Sequence, residues 1–153
     1  MKVHQLQFEL WLPRPLDEVF PFFADAANLE VLTPPLLKFQ IITPLPVEMG
    51  VGTLIDYQLR VHGIPLKWQS EITAWEPKCR FVDEQRRGPY KLWRHEHTFA
   101  AKDGGTLTRD IVRYAVPFDF IVHPMIVRPD LARVFGFRHR KMKELFGSDR
   151  GAL

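Results

Sequence analysis

Between Leu54 and Val116 the chain alternates apolar and polar residues in five segments: Leu54–Val61, Leu66–Trp75, Arg80–Gln85, Leu92–Ala100 and Thr106–Val116. Alternation with a period of two puts one face of a strand in the core and the other in water. The breaks between segments are hairpin-sized, at His62-Gly63-Ile64-Pro65, Glu76-Pro77, Arg86–Pro89 and Lys102–Gly105. A parallel neighbour needs a crossover of about a dozen residues, so these loops predict an antiparallel meander. The rest of the chain has to pack around that sheet.

Upstream, His4, Leu6, Phe8, Leu10 and Leu12 alternate with polar residues and Trp11, predicting a first strand over about residues 2–12 that Pro13 and Pro15 end. Pro15 suits the first turn of a helix, with Asp17 and Glu18 where the dipole favours acids. Leu16, Val19, Phe20 and Phe23 give that helix its apolar stripe. A second short helix is expected through Asn28–Leu32, stopped by Thr33-Pro34-Pro35, and a strand at Phe39–Ile42, broken by Pro44 and Pro46. Downstream, Pro129 can open a long helix and Gly147 close it. Leu131, Val134, Phe135, Met142, Leu145 and Phe146 form its apolar stripe, and Arg138 falls in the middle of it. The expected order is one strand, two short helices, six further strands and one long helix. This is an α+β chain with a single domain over 1–147 and a tail over 148–153.

Composition narrows the function. The 153 residues suit one domain, and the 46% hydrophobic and 25% charged content is that of a folded protein. A net charge of +3 is too weak to argue for nucleic acid. The most apolar tract, Phe118–Val127, is interrupted by His123 and Pro124, so no integral membrane segment is expected. The start of the chain has no apolar signal core, and the single cysteine, Cys79, cannot form an intrachain disulfide. A cytoplasmic location follows as an expectation. No His or Asp pattern surrounds Cys79, so it reads as a structural thiol. Gly50, Gly52 and Gly63 read as turn glycines, with no phosphate loop and no cofactor implied. His62 and His123, near turns, are expected to be exposed. Oligomeric state is left open. Twelve Phe, four Trp and three Tyr suit either a wide core or an apolar cavity.

The chemistry concentrates on one sheet face. In Leu92–Ala100, Trp93, His95, His97 and Phe99 share a face, while Arg94, Glu96 and Thr98 mark the other as wet. With Lys102–Gly105 as the turn, Ala101 pairs with Thr106, Phe99 with Thr108 and His97 with Asp110. Across the Gly88-Pro89 turn, Asp83 falls near His95. The inner face then carries Asp83, Gln85, His95, His97, Asp110 and Tyr114 amid Phe81, Trp93 and Phe99, with Arg138 arriving on the last helix. Trp68 and Tyr57 fall on neighbouring inward positions. Buried polar groups need partners, and three uses fit this set. It can be a structural network; it can be the polar end of a ligand cavity; or a His97–Asp110 pair can act as acid/base, with Tyr114 or Arg138 stabilising an enolate. Two imidazoles and two carboxylates also suit zinc or iron, but the fixed charge of Arg138 opposes a cation, so no metal is expected.

Several segments carry a family resemblance. They are Pro15-Leu16-Asp17-Glu18-Val19-Phe20, Gly63-Ile64-Pro65-Leu66-Lys67-Trp68, Asp83-Glu84-Gln85-Arg86-Arg87-Gly88-Pro89-Tyr90, Trp93–Phe99, Gly104-Gly105-Thr106 with Asp110, and Phe135-Gly136-Phe137-Arg138. With the element order, they resemble the START-like (SRPBCC) superfamily, which includes birch-pollen-allergen-like proteins, lipid-transfer domains and polyketide cyclases/dehydrases. The resemblance implies a helix-grip fold, a curved seven-stranded sheet around the long C-terminal helix with an apolar cavity between them. It implies a small hydrophobic ligand, of lipid, polyketide or aromatic type, against Tyr57, Trp68, Phe81, Asp83, Gln85, Trp93, His95, His97, Phe99, Asp110, Tyr114, Phe135 and Arg138. A cyclase/dehydratase activity through His97 and Asp110 is the alternative, and a ligand-free structural or partner-binding domain the third. Two histidines two apart on a strand also suit a cupin, but the residues after His97 are Thr98, Phe99, Ala100, Ala101 and Lys102, without the cupin glutamate.

Overall fold

A computed structural model describes residues 1–147; the tail expected over 148–153 lies outside the described residues. The chain forms β1 (His4–Leu12), α1 (Leu16–Phe23), 3-10 turns at Ala26–Leu29 and Pro35–Leu37, and β2 (Gln40–Ile41). Five strands follow: β3 (Leu54–Val61), β4 (Ile64–Glu76), β5 (Arg80–Arg87), β6 (Leu92–Lys102) and β7 (Gly105–Ala115). A short helix α2 (Asp119–Val122), a π-helical turn (His123–Val127) and the long α3 (Arg128–Phe146) complete it. The seven strands make one sheet in the order β1-β7-β6-β5-β4-β3-β2, with every paired neighbour antiparallel. This is the helix-grip architecture.

Two tight turns fix the register. Val61 pairs with Ile64 and Lys102 with Gly105, leaving two-residue loops His62-Gly63 and Asp103-Gly104. All four loop residues have positive φ, at 51°, 79°, 50° and 76°. That is the twist-matched hairpin turn, for which glycine at the second position has no steric cost. The second turn places His97 opposite Asp110, and β5 places Asp83 opposite His95, as the pattern predicts. The first turn is shorter than the sequence suggests, so β4 begins at Ile64 instead of Leu66.

Three other expectations change. The second short helix is a 3-10 turn at Ala26–Leu29, capped at its start by Asp25 Oδ1 accepting from Ala27 N–H at 3.0 Å. Helix begins at Asp119, well before Pro129. Pro124 lacks the N–H that an α-turn needs and pushes on the carbonyl four residues back, and the backbone widens into the π turn there. Leu145 is 43% exposed. The inward stripe runs Leu131, Phe135, Arg138, Met142 and Phe146, and a last step of four residues leaves Leu145 off the buried side.

Apolar residues bury in two clusters. One joins Leu12, Val19, Phe20, Phe23, Phe81, Phe99, Met142 and Phe146; the other joins Val112, Tyr114, Val116, Val127, Leu131 and Phe135. Each fully buried large side chain contributes about 1.5–3 kcal/mol of transfer free energy. Along β6 and along α3, the polar residues fall between the two clusters. Among the described residues, no helix is long and apolar enough to cross a membrane.

Candidate functional site

Between the sheet and α3 lies a cavity of about 890 Å³. Ile55, Tyr57, Trp68, Ile72, Phe81 and Trp93 line it from the sheet. Leu131, Val134 and Phe135 line it from α3, and Val122, Ile126 and Val127 from the segment before it. Asp83, His95, His97 and Arg138 form its charged wall.

The polar partners are crossed relative to the backbone register. His95 Nε2 lies 2.7 Å from Asp110 Oδ1, and His97 Nε2 lies 2.8 Å from Asp83 Oδ2. His97 Nδ1 is a further 3.3 Å from Asp110 Oδ1. The expected His97–Asp110 contact therefore exists, but it is the longer of His97's two. The two rings stack at 3.7 Å, and Phe81 stacks on His97 at 4.2 Å. Side chains two apart on one strand face lean together this way, so each imidazole makes its shortest contact with the diagonal carboxylate, while His97 keeps a longer one to Asp110 directly opposite.

Arg138, only 8% exposed, sits over the Phe23 ring at 5.4 Å. It meets the cluster through long contacts alone, 3.5 Å to His97 Nδ1 and 3.7 Å to Asp110 Oδ1. Its Nε is buried with no hydrogen-bond partner among the described residues.

The charges follow from these contacts. Burial pushes the Asp110 carboxyl up, but Arg138 and the hydrogen bonds from His95 and His97 outweigh it and hold the group well below its usual range. Asp83 is held down against burial by His97, His95 and Arg138. Burial pulls His97 down too, yet its bonds to Asp110 and Asp83 leave it raised. His95 is lowered by burial and by the neighbouring His97 charge, which its bond to Asp110 does not offset. The cluster thus holds two carboxylates, of which Asp83 faces the cavity, a guanidinium, an imidazole that favours its charged form and one that favours its neutral form.

The expected contacts divide. Tyr57, Trp68, Phe81, Asp83, Trp93, His95, His97, Phe135 and Arg138 line the cavity; Gln85, Phe99, Asp110 and Tyr114 do not. Gln85 folds back on Tyr90, donating to its carbonyl at 2.7 Å and accepting from its N–H at 3.0 Å. Phe99 belongs to the apolar cluster beside α1. Asp110 is screened from the cavity by the two imidazoles, and the Tyr114 hydroxyl is 2.6 Å from His123 Nε2. His123 is partly buried there, although its place near a turn led to the expectation of an exposed side chain. Cys79 is exposed and is not a packed structural thiol.

Sequence reasoning missed two features. Ser70 Oγ is a polar hub on the aromatic wall, 2.8 Å from the Tyr57 hydroxyl and accepting from Trp68 Nε1 at 3.0 Å. Burial, with Asp83 nearby, pushes the Tyr57 hydroxyl well above its usual range and keeps it protonated. At the rim, His62 on the β3–β4 turn meets Asp130 of α3 at 2.9 Å, and Arg133 meets the same carboxylate at 2.5 Å. The period-two pattern carries a signal for Ser70, which shares the inward face with Trp68 and Ile72. Nothing local in the sequence joins His62 to Asp130.

Asp83, His95 and His97 lie close enough together to hold a metal ion. Arg138 stands 3.5 Å from His97 Nδ1 as a fixed positive charge beside them, so the set is better suited to an organic acceptor.

The sequence profile of the family described as "Polyketide cyclase / dehydrase and lipid transport" matches residues 12–141. No curated protein matches the chain. Among solved structures, protein CV1439 from Chromobacterium violaceum is 16% identical, with a TM-score of 0.73 over 95% of this chain and 98% of that one. The Zhui aromatase/cyclase from Streptomyces sp. R1128 is 14% identical, with a TM-score of 0.67 over 94% and 96%. A nucleoside-diphosphate sugar epimerase from Corynebacterium glutamicum is 26% identical, with a TM-score of 0.70 over 91% of this chain but only 28% of the epimerase.

Proposed function

The chain belongs to the polyketide cyclase/dehydrase and lipid transport family, and from that premise we propose that it binds one small, mostly apolar organic molecule between the sheet and α3, with a carbonyl, hydroxyl or carboxylate of that molecule turned to the His95–His97–Asp83–Arg138 wall. The observation that carries this reading is the cavity itself. At about 890 Å³ it lies toward the upper end of the ~300–1,000 Å³ that small-molecule sites occupy. Its sheet wall is largely aromatic and aliphatic, and Asp83, His95, His97 and Arg138 form one charged cluster among its lining residues. Arg138 is the anchor for the polar end. Its contacts to His97 and Asp110 are long, so it keeps hydrogen-bonding capacity for an acceptor.

Titration with 1-anilinonaphthalene-8-sulfonate, an aromatic probe with an anionic end, tests this. One probe should bind per chain. Val134→Trp, which fills the cavity from α3, should abolish binding while the fold melts as before. Arg138→Met should weaken it about tenfold, the equivalent of one charge-assisted hydrogen bond. Binding that survives Val134→Trp unchanged would remove the cavity from the account.

A second reading, an enzyme of dehydratase type, draws on the opposed shifts of His95 and His97. Environments that drive two titratable groups apart make one an acid and the other a base. In loss of water from a β-hydroxy ketone, neutral His95 would take the α-proton and charged His97 would give a proton to the departing hydroxyl, leaving an enone and water. Enone absorbance with such a ketone reads this directly. His97→Gln should abolish turnover with probe binding retained; no turnover by the wild-type chain across a ketone series leaves binding as the function.

A further inference from the structure

A second set of metal-competent side chains lies apart from the cavity wall, where β1 begins, β7 ends and the α2 segment crosses beneath them. His4 pairs with Tyr114 across β1 and β7. Asp119 and His123, four residues apart, share one face of the short helix as it enters the π turn. One donor atom from each of His4, Asp119 and His123 lies within 4.8 Å of the others, and all three residues are partly buried. His4 Nε2 is 2.5 Å from Asp119 Oδ1. The His4 and His123 rings stack at 3.5 Å with 6° between their planes, and the Tyr114 hydroxyl is 2.6 Å from His123 Nε2.

We propose that His4, Asp119 and His123 bind a divalent transition cation of the zinc class, with the Tyr114 hydroxyl as an outer hydrogen-bond partner and a water completing the coordination. Two imidazoles and one carboxylate are a borderline donor set that suits zinc, cobalt or nickel better than magnesium or calcium. Ligand atoms about 2.0–2.2 Å from a tetrahedral ion are themselves about 3.3–3.6 Å apart; the donor atoms already lie within 4.8 Å, but the stacked His4 and His123 rings must tilt out of parallel for their in-plane lone pairs to converge on one ion. Charge separates this set from the cavity wall. There Arg138 stands within ion-pair distance of Asp110; here, among the described residues, the ion-pair partner of Asp119 is His4, itself a ligand, while Lys2 and Arg128 act on Asp119 and His123 from beyond ion-pair distance. The cation would tie the α2 and π-turn segment to the outer strand of the sheet. Val122, Ile126 and Val127 of that segment line the cavity, so metal occupancy would also restrain the cavity.

The test adds zinc chloride alone to chelator-stripped protein and reads stoichiometry by native mass spectrometry and calorimetry. One ion per chain is expected. His4→Gln, Asp119→Asn and His123→Gln should each lose it, while Tyr114→Phe should bind about tenfold more weakly. Zinc should slow amide exchange over residues 119–127. Asp83→Asn, in the cavity wall, should leave uptake unchanged. Cobalt(II) added to the unmodified chain reads the same site without any substitution and should give the intense visible bands of a low-coordinate nitrogen-containing site. A wild-type chain that takes up no stoichiometric zinc, uptake that persists in His4→Gln and His123→Gln, loss confined to Asp83→Asn, or a cobalt spectrum no different from the hydrated ion would each overturn the assignment.

Discussion

Replacing Asp110 by asparagine changes one charge and almost no volume, and the structure predicts a large cost. Asp110 is 4% exposed and receives His95 at 2.7 Å, His97 at 3.3 Å and Arg138 at 3.7 Å. In Asp110→Asn the carboxamide offers one acceptor oxygen and turns an NH₂ toward groups that are themselves donors. Arg138 and His97 are then opposed only by Asp83. Breaking a buried ion cluster by removing one partner typically costs about 3–5 kcal/mol. His97 can shed its proton and relieve part of the imbalance, which points to the lower end, about 3 kcal/mol. For a domain of this size that is a fall in Tm of about 6–12 °C. Urea unfolding followed by circular dichroism at neutral pH reads the change directly. The pH dependence has a defined sign. The folded carboxyl titrates below its unfolded value of about 3.9, so its stabilisation is present above that value and fades as the pH falls toward the folded pKa. The gap between wild type and Asp110→Asn should therefore be widest near neutrality and close in acid. If charge imbalance is the cause, Asp110→Asn with Arg138→Met should be less destabilised than the sum of the singles by about 1–2 kcal/mol. A single variant within about 1 kcal/mol of wild type, or strict additivity in the double variant, would refute the reasoning.

Three further outcomes are expected. Imidazole NMR titration should show His97 holding its proton above the ordinary histidine range and His95 losing its proton below it; two coincident titrations near the unperturbed value would contradict the split. By the same shifts, His97's contribution to stability is full below its unfolded pKa and lost as pH rises through the folded one, while His95's is present above its unfolded pKa and lost as pH falls. Asp130→Asn removes the rim contacts to His62 and Arg133, which are at the surface, so stability should move by less than about 1 kcal/mol while stopped-flow release of a bound probe accelerates; unchanged release would show that the rim does not gate the cavity. Met142→Ala, in the apolar cluster below Arg138, should cost about 2–5 kcal/mol in urea unfolding, and a smaller loss would mean that α3 packs loosely there.

The sheet was legible because its signals are local. Period-two alternation assigns faces, and Asp103-Gly104 closes a turn whose geometry sets the pairing of His97 with Asp110. The identity of the wall residues was legible for the same reason, since Asp83, His95 and His97 follow from face and register, and Arg138 interrupts an apolar stripe. Hydrogen-bond partners were not. Register fixes which α-carbons face each other, but stacking of His95 on His97 tilts both rings onto the diagonal carboxylates. Tertiary approach was also hidden. Placing His62 over Asp130, or His4 over His123, depends on how α2 and α3 cross the sheet, and Pro124 masked the helical character of that crossing. Gln85 and Phe99 have inward register but not cavity contact, because one amide is engaged by the Tyr90 backbone and the other ring is packed beneath α1.

Native mass spectrometry of the chain purified without organic solvent, followed by extraction and mass analysis of whatever is released, tests the central claim most directly. One small organic molecule per chain is expected, or one equivalent of added probe where none is retained, and in either case none in Val134→Trp. A wild-type chain that carries no such molecule and takes up no apolar probe would contradict a binding cavity between the sheet and α3.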